Sequence, residues 1–145
     1  MICRHVMTQD PACITQHEPV IEAARLMKQK GVGPIPIVES RDSYRLVGIV
    51  TDRDLALKVV AEGRDPNMTS VDAVMSRDLV TCHPDDDIEH AMRAMTKHKV
   101  RRVPVVDGRN RLVGIIAQAD IARTEDEKKT GHVVQEISED GETKN

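Results

Sequence analysis

A glycine, a hydroxyl and a carboxylate stand at fixed spacing in Gly48-Ile49-Val50-Thr51-Asp52-Arg53-Asp54. An apolar run ends there and a helical pattern begins. The segment therefore predicts a strand-to-helix turn with free backbone N–H groups and the positive end of a helix dipole facing outward. Such an end suits an anion such as phosphate. The Thr51 hydroxyl can donate to a phosphate oxygen, and Asp54, one turn on, can accept both hydroxyls of a ribose. Gly48 lets a ligand or a neighbouring backbone come close. The same Thr51-x-x-Asp54 spacing also has the form of a capping box, and on spacing alone the cap is the simpler reading. A second copy bears on the choice. Gly114-Ile115-Ile116-Ala117-Gln118-Ala119-Asp120 keeps the glycine and the aspartate but puts Ala117 at the cap. An aspartate kept without its capping hydroxyl favours a ligand-facing role.

The elements that position these residues also occur twice. Ala23-Ala24-Arg25-Leu26-Met27 returns as Ala91-Met92-Arg93-Ala94-Met95, and Ile35-Pro36-Ile37-Val38-Glu39 as Val103-Pro104-Val105-Val106-Asp107, both 68 residues on. Leu46-Val47-Gly48-Ile49-Val50 returns 66 residues on as Leu112-Val113-Gly114-Ile115-Ile116, so the second hairpin is two residues shorter. Two copies point to two small units that bury their faces against each other, with any pocket along the seam.

Each copy reads as strand, helix, strand, strand, helix. Cys13-Ile14-Thr15 and Leu79-Val80-Thr81 are the short entry strands. Val20, Ala23, Ala24 and Met27 share one helical face, as do Ile88, Ala91, Met92 and Met95. Two apolar runs joined by Ser40 to Arg45, or by Gly108 to Arg111, form a hairpin. Pro36 and Pro104 lack a donor and belong at a strand start or edge. The second helix of copy one spans Asp52 to Ala61, and Ser70 caps a short helix over Val71 to Met75. Val6-Met7-Thr8 matches Val74-Met75-Ser76, so each repeat has an entry turn.

The chain divides into repeat one (1–63), a linker (64–70), repeat two (71–123) and a charged C-terminal segment (124–145). That last segment is expected to be partly helical, with an apolar stripe of Val133, Val134 and Ile137, then disordered from Ser138.

At 145 residues with no Phe or Trp and only Tyr44 as an aromatic, the core is aliphatic. Missing stacking platforms and a net charge of −3 argue against nucleic acid as a partner. Residues 124–145 carry seven acidic and three basic groups, leaving the remainder about neutral. No apolar run approaches membrane-spanning length and no signal-peptide stretch opens the chain. Three cysteines form no disulfide framework, which points to a cytoplasmic protein with reduced thiols.

Taken together, an apolar-Pro-apolar-Val strand, Leu-Val-Gly-Ile-(Val/Ile) and Thr-x-x-Asp, repeated in order over about residues 6–122, resemble a pair of cystathionine-β-synthase (CBS) domains. The chain is similar to stand-alone bacterial pairs of the mycobacterial hypoxic-response type. That resemblance implies an α/β (α+β) fold of tandem β-α-β-β-α repeats packed with pseudo-twofold symmetry, commonly as a homodimer. It implies no enzyme and no required cofactor. The regulatory ligand it implies is an adenine nucleotide or other adenosyl compound (AMP, ADP, ATP, NAD or S-adenosylmethionine), and an effector protein reads the bound state.

On the resemblance, the first site comprises Asp54 for ribose and Thr51 for phosphate, with Arg102 or Arg53 on the phosphate tail. Ile14 and Thr15, with Val32, Gly33, Pro34 and Ile35, line its base pocket. The second and weaker site has Asp120 without the hydroxyl, lined by Val80 and Thr81 with Val100, Arg101, Arg102 and Val103. Arg102 is expected near the pseudo-twofold, where copy one has Pro34.

A reading of a different class is a thiol- or zinc-dependent stress sensor with vestigial clefts. Cys3, His5, Cys13 and His17 lie close in sequence and Cys82 sits at the matching edge of copy two, although the spacings fit no compact metal motif. A Cys13–Cys82 disulfide is one form of this reading. A purely structural dimerisation module is a third reading. Lys97-His98-Lys99-Val100-Arg101-Arg102 reads as a solvated basic helix end.

Overall fold

The computed structural model describes residues 1–127; the stripe of Val133, Val134 and Ile137 lies outside them. The apolar stripes fold as read except at Met92, which is exposed, and Ala24, which is only partly buried. Helix α1 (Val20–Lys30) buries Val20, Ala23 and Met27, and helix α3 (Ile88–His98) buries Ile88, Ala91 and Met95. Both stop on a left-handed residue 68 positions apart: Gly31 at φ 65° and Lys99 at φ 55°. At the other end of α1, backbone carbonyls of the linker do the capping. Val20 N–H donates to Thr69 O at 2.8 Å and Ile21 N–H to Pro66 O at 3.1 Å.

The apolar runs form two antiparallel hairpins, β3 (Ile35–Val38) with β4 (Leu46–Val50), and β5 (Arg102–Val106) with β6 (Leu112–Ala117). Strand β2 (Ile14–Thr15) joins β3 in parallel, with Ile14 opposite Ile37. The matching residue in the second copy is Cys82, which makes a single parallel bridge to Val105. Leu79 to Thr81 is therefore not a strand. Aligning it with Ile14-Thr15 misjudges the register by two residues, because pairing with a distant strand, not local composition, sets it. Pro104 lies on the edge strand β5, as expected of a residue without a donor. Pro36 lies on the middle strand β3, but β2 reaches only Ile37 and Val38, so no ladder bond is lost there.

The entry turns are exchanged between the halves. Strand β1 (Thr8–Gln9), near the N-terminus, pairs with β6 of the second half, giving the order β1-β6-β5. Ser76 bridges Ile49 on β4 of the first half. The cores follow the same exchange. Val71, Val74 and Met75 belong to the core of α1, β3 and β4, whereas Cys3 lies with Ile88, Val103 and Ile116. A third cluster of Cys13, Val38, Leu46, Val106 and Leu112 joins the sheets at the hairpin bases, where Leu46 N–H donates to Asn110 O and Leu112 N–H to Tyr44 O.

Two helical expectations need correction. The helix after β4 is α-helical only over Asp52–Leu55 (α2) and continues as a π-turn over Ala56–Val60. Residues Val71–Ala73 form a single 3-10 turn, and Ser70 does not cap it. The Ser70 hydroxyl instead donates to Gln16 O at 3.0 Å, tying the exchanged turn to the first half. The final described helix, α4, occupies 118–127.

Candidate ligand-binding site

Thr51 and Asp54 form a complete capping box. The Thr51 hydroxyl accepts from Asp54 N–H at 3.2 Å, and Asp54 Oδ2 accepts from Thr51 N–H at 2.9 Å and lies 3.1 Å from Thr51 Oγ1. Arg53 N–H donates to Asp52 Oδ1 at 3.1 Å. The first turn of α2 thus has internal acceptors and carries two carboxylates, Asp52 and Asp54, which repel a further anion. Any anionic tail of a ligand must look to cationic side chains.

In the second copy, Ala117 N–H still donates to Asp120 Oδ2, at 3.3 Å. Asp120 therefore keeps half of the capping box even without the hydroxyl, which weakens the argument that its presence alone marks a ligand. Restoring the missing half should stabilise the fold. Thr51→Ala is expected to cost about 1 kcal/mol and Ala117→Thr to gain a similar amount, as for N-caps in general. Urea unfolding of the two variants measures both.

A cavity of about 370 Å³ opens in front of Asp120. Both halves of the chain wall it. From the first come Asp10, Pro11 and Ala12 after β1, Lys30 at the end of α1, and Val32, Pro34 and Pro36 before and within β3. Arg102, Ile115, Ala117, Ala119 and Asp120 come from the second. The cavity offers apolar walls, two cations (Lys30 and Arg102) and two carboxylates, of which Asp120 is held at both oxygens and Asp10 is the other.

The residues singled out in the sequence are distributed as follows. Val32 and Pro34, expected beside Asp54, line the cavity with Asp120 and Arg102. Ile14, Ile35 and Val103 are buried in the hydrophobic cores. Thr15 N–H and hydroxyl both turn to Glu18 Oε2, at 2.6 and 3.1 Å. Gly33 sits against Asp52, whose Oδ1 would lie 3.0 Å from an added Cβ. Arg53 is exposed on α2. Val80 and Thr81 face a groove along α3 with His90 and Arg93, and Val100 and Arg101 line a separate cavity between α3 and α4.

Asp10, Pro11, Ala12 and Lys30 were not among the residues expected at a site. A signal for Ala12 existed: the 68-residue offset pairs it with Val80, but matching the entry strands at an offset of 66 hid this.

The cysteines do not gather as the sequence suggested. Cys3 lies in the second core and Cys13 in the seam cluster, and no group of three or more His, Cys, Asp or Glu side chains able to hold a metal occurs among the described residues. The exchange of entry turns sets Cys3, not Cys13, in the same core cluster as Cys82, and the Cys3 thiol donates to Asp87 O at 3.9 Å. Cys13 Sγ instead contacts the Tyr44 hydroxyl at 3.0 Å, and this bond with burial pushes the phenol up to about 12.

Burial, then the neighbouring Cys3 thiol, pushes Cys82 well above the usual thiol range. Its folded state thus holds a proton that the unfolded chain releases above about pH 8.5. The stability this gives is whole below that pH and falls as pH rises. Urea unfolding between pH 8 and 10 should show a decline of up to about 1.4 kcal/mol per pH unit from this group. The decline should flatten in Cys82→Ala.

With this geometry in view, the relatives become informative. The family model described as CBS domain matches residues 3–61 and again 71–127. The CBS domain-containing protein YhcV of Bacillus subtilis is 44% identical over 119 residues, covering 82% of this chain and 81% of that one. Among solved structures, Hypoxic Response Protein I with two coordinated zinc ions superposes with a TM-score of 0.78 at 35% identity, covering 85% of this chain and 98% of that one. The CBS domain pair of protein MJ0100, in complex with 5′-methylthioadenosine and S-adenosyl-L-methionine, gives 0.76 at 29% identity, covering 88% and 98%.

Proposed function

The chain belongs to the CBS-domain family as a tandem pair, and from that premise we propose that it is a regulatory module whose Asp120 cavity receives an adenosyl ligand. The observation that carries this reading is the composite cavity: a carboxylate, apolar walls and cations drawn from both halves. Asp120 accepts the ribose hydroxyls, Ala12, Val32, Pro34 and Pro36 enclose the base, and Arg102 and Lys30 meet a phosphate or carboxylate tail. A comparable ligand class is supported by the MJ0100 pair, which holds two adenosyl compounds. The pseudo-symmetric counterparts of Ala12, Val32 and Pro34 are Val80, Val100 and Arg102. Val80 lines the groove along α3, Val100 the cavity between α3 and α4, and Arg102 the Asp120 cavity itself.

Because both halves wall the cavity, a bound ligand favours the relative orientation in which the walls close on it. Differential affinity for that orientation is what a ligand needs in order to act as a signal. The working unit is then the pair, and neither segment 1–63 nor 71–123 alone contains a whole cleft. On this reading the protein acts in the cytoplasm as a non-catalytic homodimer whose state an effector protein reads. The described residues include no helix long and apolar enough to cross a membrane.

A thermal-shift panel of AMP, ADP, ATP, NAD and S-adenosylmethionine, with zinc and chelator alongside, tests the proposal. A ligand that binds only the native state, present at 100 times its Kd, stabilises by about 2.7 kcal/mol. At least one adenosyl compound should raise Tm. A flat nucleotide panel with a clear response to zinc would overturn the reading in favour of a metal or thiol sensor.

A further inference from the structure

The two motif carboxylates are held by different means. Asp54 Oδ2 is fixed by the backbone and hydroxyl of Thr51, and its Oδ1 lies 3.2 Å from Lys58 Nζ. That ammonium is shared, since it also donates to Val74 O at 3.0 Å. Asp120 has lost the hydroxyl at Ala117, and its remaining capping bond is longer, at 3.3 Å. Its Oδ1 instead accepts from Arg123 Nη2 at 2.9 Å. Arg123 and Lys58 are not equivalent positions. The 66-residue offset of this segment pairs Lys58 with Thr124, whose hydroxyl donates to Asp120 O at 2.9 Å, and Arg123 with Leu57.

We infer that Arg123 is the positioning residue for the Asp120 carboxylate, restraining it at Oδ1 where the second repeat lacks the hydroxyl by which Thr51 restrains Asp54 at Oδ2. The inference rests on the reading that Asp120 receives the ribose. A carboxylate has about four acceptor sites, two on each oxygen. The Ala117 N–H occupies one on Oδ2 and Arg123 one on Oδ1, leaving one on each oxygen for the two hydroxyls of a cis-diol. Without Arg123, a single long capping bond leaves the carboxylate free to rotate about its side chain. Arg123 reaches Oδ1 by one directional N–H bond from a planar guanidinium, which the freely rotating donors of an ammonium reproduce only in part. The pair is three residues apart on a helix with Arg123 largely exposed, so a surface ion pair that orients nothing is the alternative the test must separate.

Two readouts on Arg123→Met test this, with Arg123→Lys and the double variant Arg123→Met/Ala117→Thr. Without ligand, hydrogen exchange at the Ala117 amide should accelerate about fivefold in Arg123→Met, the equivalent of a surface interaction at the upper end of its range. The Thr51 amide should stay unchanged as the internal control. With ligand, AMP affinity should fall about fivefold or more, and the preference for AMP over 2′-deoxy-AMP should shrink. Arg123→Lys should recover part of that preference, and restoring a hydroxyl with Ala117→Thr most of it. Unchanged Ala117 exchange in Arg123→Met overturns the inference whether or not a nucleotide binds. Should AMP fail to bind the wild-type protein, the proposed function fails and Ala117 exchange still decides the positioning role. Equal losses for AMP and 2′-deoxy-AMP would reduce Arg123 to a structural ion pair.

Discussion

Gly114→Ala and Gly48→Ala should each destabilise the protein by about 1–3 kcal/mol, the usual range for overpacking a filled site. An added Cβ at Gly114 would lie 2.5 Å from Met7 Sδ, 2.9 Å from Met7 Cγ and 3.0 Å from Thr8 O. At Gly48 it would overlap Met75 Sδ and come within 2.8 Å of Met75 Cγ and 3.1 Å of Ser76 O. A methionine tip can swing away, but the carbonyls cannot. Ser76 O accepts from Ile49 N–H at 3.0 Å and Ser76 N–H donates to Ile49 O at 2.8 Å, which fixes the turn against β4. Each glycine is thus the seat of the entry turn from the other end of the pair. Calorimetric melting should show a Tm fall of roughly 4 °C per kcal/mol for a domain of this size. An unchanged Tm in both variants would mean that the exchanged turns do not seat on β4 and β6.

A second large effect is expected at Asp120. Hydrogen bonds to a charged group contribute about 1.5–3 kcal/mol each. Loss of two to a ribose diol in Asp120→Ala should then weaken adenosyl-ligand binding by roughly 100-fold or more. The fold should suffer much less, by about 1 kcal/mol, because the residue closes only half a capping box. Asp120→Asn keeps one acceptor oxygen and should fall between. Titration calorimetry gives the affinities, and urea unfolding of the same samples separates lost binding from lost structure. Wild-type affinity in a folded Asp120→Ala protein would remove the carboxylate from the site.

Local patterns made much of this fold legible. Period-3.6 stripes located α1 and α3, continuous apolar runs located the hairpins, and duplication of both announced a pair with a seam. What stayed hidden depends on contacts between distant residues. Val6-Met7-Thr8 and Val74-Met75-Ser76 are near-copies, so either could seat on either glycine strand, and composition does not say which. Their exchange puts Cys3 in one core with Cys82 and leaves Cys13 in the separate seam cluster. The register of the entry strands was lost for a similar reason. Ile14-Thr15 and Val80-Thr81 look alike, whereas strand pairing matches Ile14 with Cys82. Val32 and Pro34 were assigned to Asp54 because all three lie in the first repeat, while the cavity joins them to Asp120 of the second. The capping box was read correctly from its spacing, but Lys58 and Arg123 on the carboxylates were not foreseen, since nothing in the motif names a cation.

One adenosyl ligand should touch both halves of the pair at the Asp120 cavity. Titrating AMP into ¹⁵N-labelled protein while following backbone amide shifts would show this. The expected result is saturable shifts with one common Kd at Ala12 and Val32 from the first half and at Ala119 and Asp120 from the second. Shifts confined to one half, or none at millimolar AMP and none with S-adenosylmethionine in its place, would contradict it.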